Sequence, residues 1–428
     1  MKKYESSHNE LPFEIVIQND KCIRCGLCVE ICPLNILVLN ENQVEVIDYK
    51  KCNGCKLCEN KCKFGLILIR TKNLEIDDSI SISNLLNPIL QNKIPKLVFL
   101  NIHITHACNL KCIHCFSKAK VAYEKEVNSK EIFNVVDDAI GLGLRSITLT
   151  GGGEPLLRKE LCYETIKMAS DRNIHTRICT NGTMLDENCV KKLKEADIGI
   201  VQVSLDSHVP EIHDEFRGMP GTFKKVIKGI KLLNDYEINV MIRPTLHSKN
   251  YNRLPEFISF CSELGASHFR LGLLRPFGHG KYANEWYVNK SQTKEAIGTL
   301  IGLREELWGR LNIIADECYT HLLNPMPTCR PNSQLGCRAG VDKIVISSDG
   351  SIIPCDTFNL IVGNIRSSSI KDIWKESPVL RDLRDIKNLK GRCGNCDYLW
   401  ACGGGCRAVA YEISADIFAE DSLCWHQP

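Results

Sequence analysis

The sequence predicts an α/β fold, a partial (β/α)6 barrel set between two smaller cysteine-rich units. Three observations carry this. Six apolar, strand-like runs alternate with segments of 3.6-residue periodicity between Val98 and Leu273. Before them, two four-cysteine runs of identical spacing start thirty residues apart, at Cys22 and Cys52. After them, cysteines return in force between Cys329 and Cys424. The corresponding expected boundaries are 1–72, a linker at 73–96, the barrel at 97–310 and the last unit at 311–428.

A chain of 428 residues has room for two or three domains. Its net charge of +3 and lack of a long basic block point away from nucleic acid and anionic membranes as partners. Met1–His8 is a mixed segment rather than an apolar signal core, and no apolar run approaches the ~20 residues of a membrane span. A soluble cytoplasmic protein is expected. The 24 cysteines are too many for an ordinary cytosolic enzyme, and a disulfide scaffold would be small and secreted. Clustered cysteines in a reducing compartment argue for metal. Five lie outside any ligand spacing, Cys162, Cys179, Cys189, Cys261 and Cys318, and read as small buried hydrophobes.

In the first unit, Cys22, Cys25, Cys28 and Cys32 are spaced C-x2-C-x2-C-x3-C and followed by Pro33; Cys52, Cys55, Cys58 and Cys62 repeat the spacing, with Lys63 in place of the proline. This matches the bacterial two-cluster ferredoxin run, in which the fourth cysteine of each run ligates the other cluster. By that rule Cys22, Cys25, Cys28 and Cys62 hold one [4Fe–4S] cluster, and Cys52, Cys55, Cys58 and Cys32 the second. Short apolar segments at Glu14–Ile17, Leu37–Leu39, Val44–Ile47 and Leu66–Ile69 suit the strands of a small α+β ferredoxin-like domain. The functional reading is a built-in electron wire; the bland one is a module whose clusters only hold the fold. Polar residues, Asn87-Pro88 and Pro95 mark the linker that follows.

The barrel strands are expected at Val98–Ile104, Ser146–Thr150, His175–Thr180, Ile198–Leu205, Val240–Thr245 and His268–Leu273. Between the first two, Ile132, Val135, Val136 and Ile140 line one helical face, with Asn128 or Ser129 as its cap. Chemistry in such folds sits at the C-terminal ends of the strands. There, after strand one, stands Cys108-x3-Cys112-x2-Cys115. A [4Fe–4S] cluster is usually held by four thiolates. Three would leave one iron open, as catalytic zinc sites keep one position open. Zinc is the alternative for short C-x2-C runs, but no fourth ligand follows at zinc-finger spacing.

This triad resembles the signature of the radical S-adenosylmethionine (SAM) enzymes, with His114 at a position usually aromatic. The resemblance extends from about Val98 to Cys424. It implies that the open iron binds SAM and that the cluster cleaves it to a 5′-deoxyadenosyl radical. Gly151-Gly152-Gly153-Glu154-Pro155, after strand two, resembles the stretch that receives the SAM amino group, which assigns that role to Gly152, Gly153 and Glu154. Asn181 in Thr180-Asn181-Gly182-Thr183 belongs to a further similar motif, with a plain Asn-Gly turn as the alternative. Ser204 matches a residue contacting the ribose or carboxylate of SAM. Arg217 resembles the arginine pairing with that carboxylate, a task suited to a guanidinium fork; the alternative is a solvated surface arginine. His279, after strand six, acquires no role.

Cys337, Cys355, Cys393, Cys396, Cys402, Cys406 and Cys424 resemble the seven-cysteine SPASM extension of many radical SAM maturases. The resemblance implies two auxiliary clusters, one on Cys337, Cys355 and Cys406, the other on Cys393, Cys396, Cys402 and Cys424. Cys329 is the candidate fourth ligand of the former, so five [4Fe–4S] clusters are expected. The implied activity is a radical SAM oxidoreductase or maturase that oxidatively modifies a peptide or peptide-derived cofactor precursor. Its expected partner is an external low-potential donor such as ferredoxin or flavodoxin. The end of the chain also resembles the alternative haem-biosynthesis and pyrroloquinoline quinone branches, so tetrapyrrole side-chain modification is the second reading. A third is a non-catalytic iron–sulfur electron carrier, against which the triad, Glu154, Ser204 and Arg217 argue.

Overall fold

The computed structural model describes residues 2–4, 13–32, 34–41, 43–52, 57–62, 66–71, 94–314, 319–323 and 337–428. In the N-terminal unit, β1 (Lys2–Tyr4), β2 (Phe13–Ile17) and β5 (Ile67–Thr71) form one antiparallel sheet, and β3 (Leu37–Leu39) and β4 (Val44–Val46) a second. Two one-turn helices, α1 (Leu27–Ile31) and α2 (Leu57–Lys61), each carry a cysteine inward, Cys28 and Cys58. Ile15, Ile17, Ile31, Ile36, Val44, Ile67 and Ile69 pack around these thiols and Cys32. The cysteine side chains therefore supply part of the core of so small a unit.

The central unit is a curled, mostly parallel sheet. Its strands are β6 (Phe99–His103), β7 (Ser146–Thr150), β8 (His175–Thr180), β9 (Ile200–Val203), β10 (Val240–Ile242) and β12 (His268–Arg270), with a short parallel pair, β11 (Thr245–Leu246) and β13 (Gly272–Leu273), at the far end. Among the described residues, ten strands form one sheet in the order β14-β12-β10-β9-β8-β7-β6-β15-β16-β17. The additions are β14 (Asn312–Ile314), β15 (Lys343–Ile346), β16 (Ser351–Ile353) and β17 (Gly363–Asn364). Strands β14 and β15 extend the barrel in parallel at its two edges, and β16 and β17 turn back antiparallel. The sequence pattern missed these because each is short and lies among cysteine-rich or polar residues.

Alternation along the strands sorts the side chains. Leu100, Ile102, Ile147, Leu149, Ile178, Val201, Val203, Ile242 and Phe269 point outward into the core beneath the helices. Their neighbours Asn101, His103, Thr148, Arg177, Cys179, Gln202, His268 and Arg270 face the lumen. The first barrel helix, α3 (Ser129–Ile140), starts with a capping box between Asn128 and Glu131 and buries Ile132, Val135, Val136 and Ala139. Ile140, expected on that face, is 41% exposed because the helix ends there.

The N-terminal unit does more than hang on a linker. It closes the N-terminal end of the barrel: Leu66 packs with Ile200, Met241 and Ile314 on the lumen floor, and Cys22, Ile23 and Cys62 cover them. Val16 and Leu68 bury against Trp308. A buried ion pair, Arg304 to Glu59 at 3.2 Å, and a contact from Asn312 to Gln18 at 3.4 Å fix the seating. Buried pairs of this kind fix orientation more than they stabilise. No helix among the described residues is long and apolar enough to cross a membrane.

Candidate active site

The three thiols of Cys108, Cys112 and Cys115 lie on the loop leaving β6. Burial pushes Cys108 up to about 11, and Glu154, Cys112 and Cys115 push it further in the same direction. The three thiols stand close enough to oppose one another's ionisation, and a bound cation would relieve that. Among the described residues no three Cys, His, Asp or Glu side chains converge on the point a single metal ion would need. Three cysteine thiols on one loop are the donor type that iron–sulfur clusters take.

The loop is anchored on three sides. Asn109 donates to Thr183 Oγ1 at 2.8 Å and accepts from Asn181 Nδ2 at 2.8 Å, so the Asn-Gly stretch is a dock for the cysteine loop and not only a turn. Glu126 accepts from His106 N at 2.7 Å and Thr105 Oγ1 at 3.0 Å. The backbone N–H of His279 donates to Cys115 O at 2.8 Å. Gly278 has φ +55°, and a Cβ there would overlap the carbonyl oxygens of Cys115 and Phe116. His114 stacks on Phe216 with ring centroids 4.0 Å apart, and burial pushes its imidazole down to about 3.

After β7 the chain passes close under this loop. Gly153 N donates to Thr105 O at 2.9 Å and Glu154 N to Ala107 O at 2.8 Å, and a Cβ on Gly153 would collide with that same Ala107 oxygen. Gly152 carries its carbonyl to the Ser117 hydroxyl. Glu154 is 2% exposed and accepts from Leu156 N, Thr180 Oγ1 and Asn181 N. Burial raises its carboxyl and these donors oppose the rise. A carboxylate offers about four lone-pair directions, so roughly one is left for a further donor. Ser204 directly follows β9, and its N–H donates to Thr180 O at 3.0 Å.

Arg217, at the end of α6 (Pro210–Arg217), is buried. Its Nε donates to Asp206 Oδ2 at 2.6 Å, and Nη1 approaches Cys112 Sγ at 3.9 Å. The solvated-arginine alternative is thereby excluded. Asp206 is fully buried. Burial alone would raise its carboxyl, but Arg217, with His114 and His213, holds it well below the usual range. The N–H of Thr245 donates to its Oδ1 at 3.0 Å. Asp206 had no assignment from sequence, because eleven residues separate it from its partner and only the fold unites them.

Several cysteines outside the triad also lie near one another. Cys28 lies within electrostatic reach of Cys62, Cys25 and Cys22. Cys406 lies close to Cys337 and Cys355, and burial pushes it up to about 12. Cys402 neighbours Cys424 and Cys393, and Cys393 neighbours Cys396. Asp421 stands between the last two sets, accepting from Cys406 N at 2.7 Å. Cys55, Cys318 and Cys329 lie outside the described residues.

A Radical SAM superfamily model matches residues 102–261, an iron-sulfur cluster-binding (SPASM) domain model 337–397, and a 4Fe-4S dicluster domain model 14–71. This chain is a SAM-dependent radical SAM enzyme. It carries a C-terminal SPASM domain and an N-terminal dicluster domain, which together imply [4Fe–4S] clusters and SAM as cofactors. It is 29% identical over 355 residues to the AdoMet-dependent heme synthase of Methanosarcina barkeri, covering 79% of this chain and 99% of that one. It is 26% identical over 335 residues to the PqqA peptide cyclase of Granulibacter bethesdensis, covering 76% and 86%. In fold it is similar to Streptococcus suis SuiB bound to S-adenosylmethionine, with a TM-score of 0.66 at 22% identity over 78% of each chain. A second likeness is to anSMEcpe with bound AdoMet, at a TM-score of 0.61 and 22% identity over 76% of this chain and 94% of that one.

The lumen of this radical SAM enzyme holds what the sequence reading missed. Cys179 is not a core filler. It is half-buried on the inward face of β8, where burial raises its thiol and Arg177, Arg243 and Arg270 pull it back. Arg177 also donates to Thr148 Oγ1 at 3.0 Å, and the guanidinium of Arg243 lies against Gly272. Opposite them Asp356 accepts from Asn101 at 2.9 Å and Lys343 at 2.8 Å. Period-two alternation could have flagged these arginines, since each interrupts an apolar strand on the same face. Cys162, Cys189 and Cys261 are buried as expected.

Proposed function

We propose that this radical SAM enzyme oxidatively modifies a carboxylate-bearing small molecule held in the barrel lumen, with a tetrapyrrole bearing propionate side chains as the first candidate. The observation that carries this is the trio Arg177, Arg243 and Arg270 around Cys179, on the inward face below the triad. Guanidinium groups are suited to carboxylates, which they engage through paired N–H donors. The names of the heme synthase relatives support the same substrate class; those of the PqqA peptide cyclase and the mycofactocin maturases support the peptide reading that the sequence placed first.

Bound SAM and its cluster supply a hydrogen-abstracting 5′-deoxyadenosyl radical. The chain supplies position. Cys108, Cys112 and Cys115 would hold the cluster; Gly152, Gly153 and Glu154 would receive the amino group of SAM; Ser204 would contact its ribose or carboxylate, with Asn181 as a further contact. Arg217, steadied by Asp206, receives the SAM carboxylate. Removing one hydrogen atom from a propionate and losing its carboxyl as carbon dioxide forms a carbon–carbon double bond and leaves one electron, which a cluster on Cys337, Cys355 and Cys406 would accept and pass to an external carrier. A carrier protein of the ferredoxin or flavodoxin class exchanges electrons with the chain. The remaining ligand sets are those named above, with Cys329 completing the one on Cys337, Cys355 and Cys406, for five clusters. Domain limits at 1–72, 97–310 and 311–428 and a cytoplasmic setting complete the reading.

The test is anaerobic incubation of reconstituted protein with SAM, dithionite and either an iron coproporphyrin or a peptide. The expected result is 5′-deoxyadenosine and carbon dioxide formed with the porphyrin, and a weakened response in Arg243→Gln. Turnover that responds to peptide and ignores porphyrin would refute the tetrapyrrole reading.

A further inference from the structure

We propose that Arg338, with its partner Asp342, is an electrostatic joint between two thiol sets, the one on Cys22, Cys25, Cys28 and Cys62 and the auxiliary one on Cys337, Cys355 and Cys406. Arg338 directly follows Cys337 in the chain. Its guanidinium lies 4.8 Å from the centre of the Phe99 ring. Phe99, Val98 and Leu27 form one buried group, and Cys25 and Ile23 pack against it. One side chain thus reaches from the backbone of an auxiliary ligand to the wall that carries Cys25.

Asp342 holds the guanidinium in place. Arg338 Nε donates to Asp342 Oδ1 at 2.8 Å, Nη2 donates to Oδ2, and the two side chains are only 12% and 8% exposed. The backbone of Asp342 is tied to the same wall, its carbonyl accepting from Val98 N and Phe99 N at 3.0 Å each. All this lies at the N-terminal end of β6, where Phe99 pairs with Lys343. The triad lies beyond the other end. The five residues of β6 between them span roughly 16 Å at about 3.3 Å each. The Arg338–Asp342 pair therefore sits at the end of β6 away from the triad.

The sign of the effect follows from burial. Removing either member of the pair leaves the opposite charge uncompensated in a poorly screened place between both sets. Iron–sulfur potentials follow local charge and hydrogen bonding. Arg338→Gln should lower the midpoint potentials of both sets and Asp342→Asn should raise both. Each change should be at least tenfold in the reduction equilibrium, about 59 mV for one electron. Arg338→Lys, which keeps the charge, should stay near the parent.

This inference rests on the ligand sets proposed above, and the experiment separates the two. Potentiometric EPR is run on the reconstituted full chain carrying Cys108→Ala, Cys112→Ala and Cys115→Ala, which removes the triad's signal. Each remaining signal is assigned by its loss in Cys25→Ser or Cys355→Ser. If those substitutions remove neither iron nor signal, the ligand sets are wrong, and the joint between them falls as well. If they do, parallel shifts of both potentials, opposite in Arg338→Gln and Asp342→Asn, support the joint. A shift confined to one set, or none in either, overturns it. Should Arg338→Gln fail to retain iron, Asp342→Asn and Arg338→Lys decide on the same criteria.

Discussion

Replacing Asp206 by asparagine removes the charge that holds Arg217 beside Cys112. The pair is buried, with side chains 9% and 0% exposed and 2.6 Å between Nε and Oδ2. Breaking such a pair from one side costs about 3–5 kcal/mol, because the remaining charge is stranded. Asparagine can still accept from Thr245 N, which places Asp206→Asn near the lower end, at about 3 kcal/mol. In a domain of this size 1 kcal/mol moves the melting temperature by about 2–4 °C, so the variant should melt about 6–12 °C lower. Asp206→Ala also orphans the Thr245 N–H and should cost about 1–3 kcal/mol more. The double variant Asp206→Asn/Arg217→Gln carries neither charge and should regain most of the loss. The assay is thermal melting of the reconstituted protein, with the KM for SAM measured beside it and expected to rise. Because the Asp206 carboxyl is held low, this stabilisation is present above the unfolded carboxylate value of about 3.9 and lost as pH falls below it. An Asp206→Asn protein melting within about 2 °C of the parent would refute the reasoning.

Gly153→Ala should cut 5′-deoxyadenosine formation by about a hundredfold or more, while iron content stays at the parent level, since its Cβ collides with Ala107 and a small misplacement is enough to lose such a factor. Cys112→Ala should abolish SAM cleavage and retain the iron of the other sets, as read by iron assay and EPR. His175, His213 and His247 are each pushed down to about 4 by burial, against about 6.5 when unfolded. Below pH 6.5 the unfolded chain binds more protons, so stability should be full above that pH and decline steadily toward pH 4. His213→Gln should flatten the decline in melting temperature.

The parts legible in the sequence were those encoded locally. Cysteine spacings stand within a few residues of one another, and the six main strands announce themselves as apolar runs bounded by helical periodicity. The position of Gly153 and Glu154 beside the cysteine loop could be read because they fall at a strand end in step with the triad. What escaped depends on distance along the chain. Asp206 and Arg217 meet only once α6 folds back. Asn109 meets Asn181 across 72 residues. Strands β14 and β15 join the barrel from outside its expected limits and are too short to show a period. Cys179 was misjudged because an apolar strand pattern does not say which face will curl inward, and the arginines on that face belong to three different strands.

The seat of Leu66 against Ile200, Met241 and Ile314 makes the N-terminal unit the floor of the reaction vessel. A shortened chain starting at the barrel would not be a simpler enzyme. It would present a greasy opening where Leu66 had been, admit solvent from below to a chamber that must keep a carbon radical dry, and strand Arg304 without Glu59. The dicluster domain is, in this molecule, also a stopper, and it cannot be trimmed away without opening the chamber it closes.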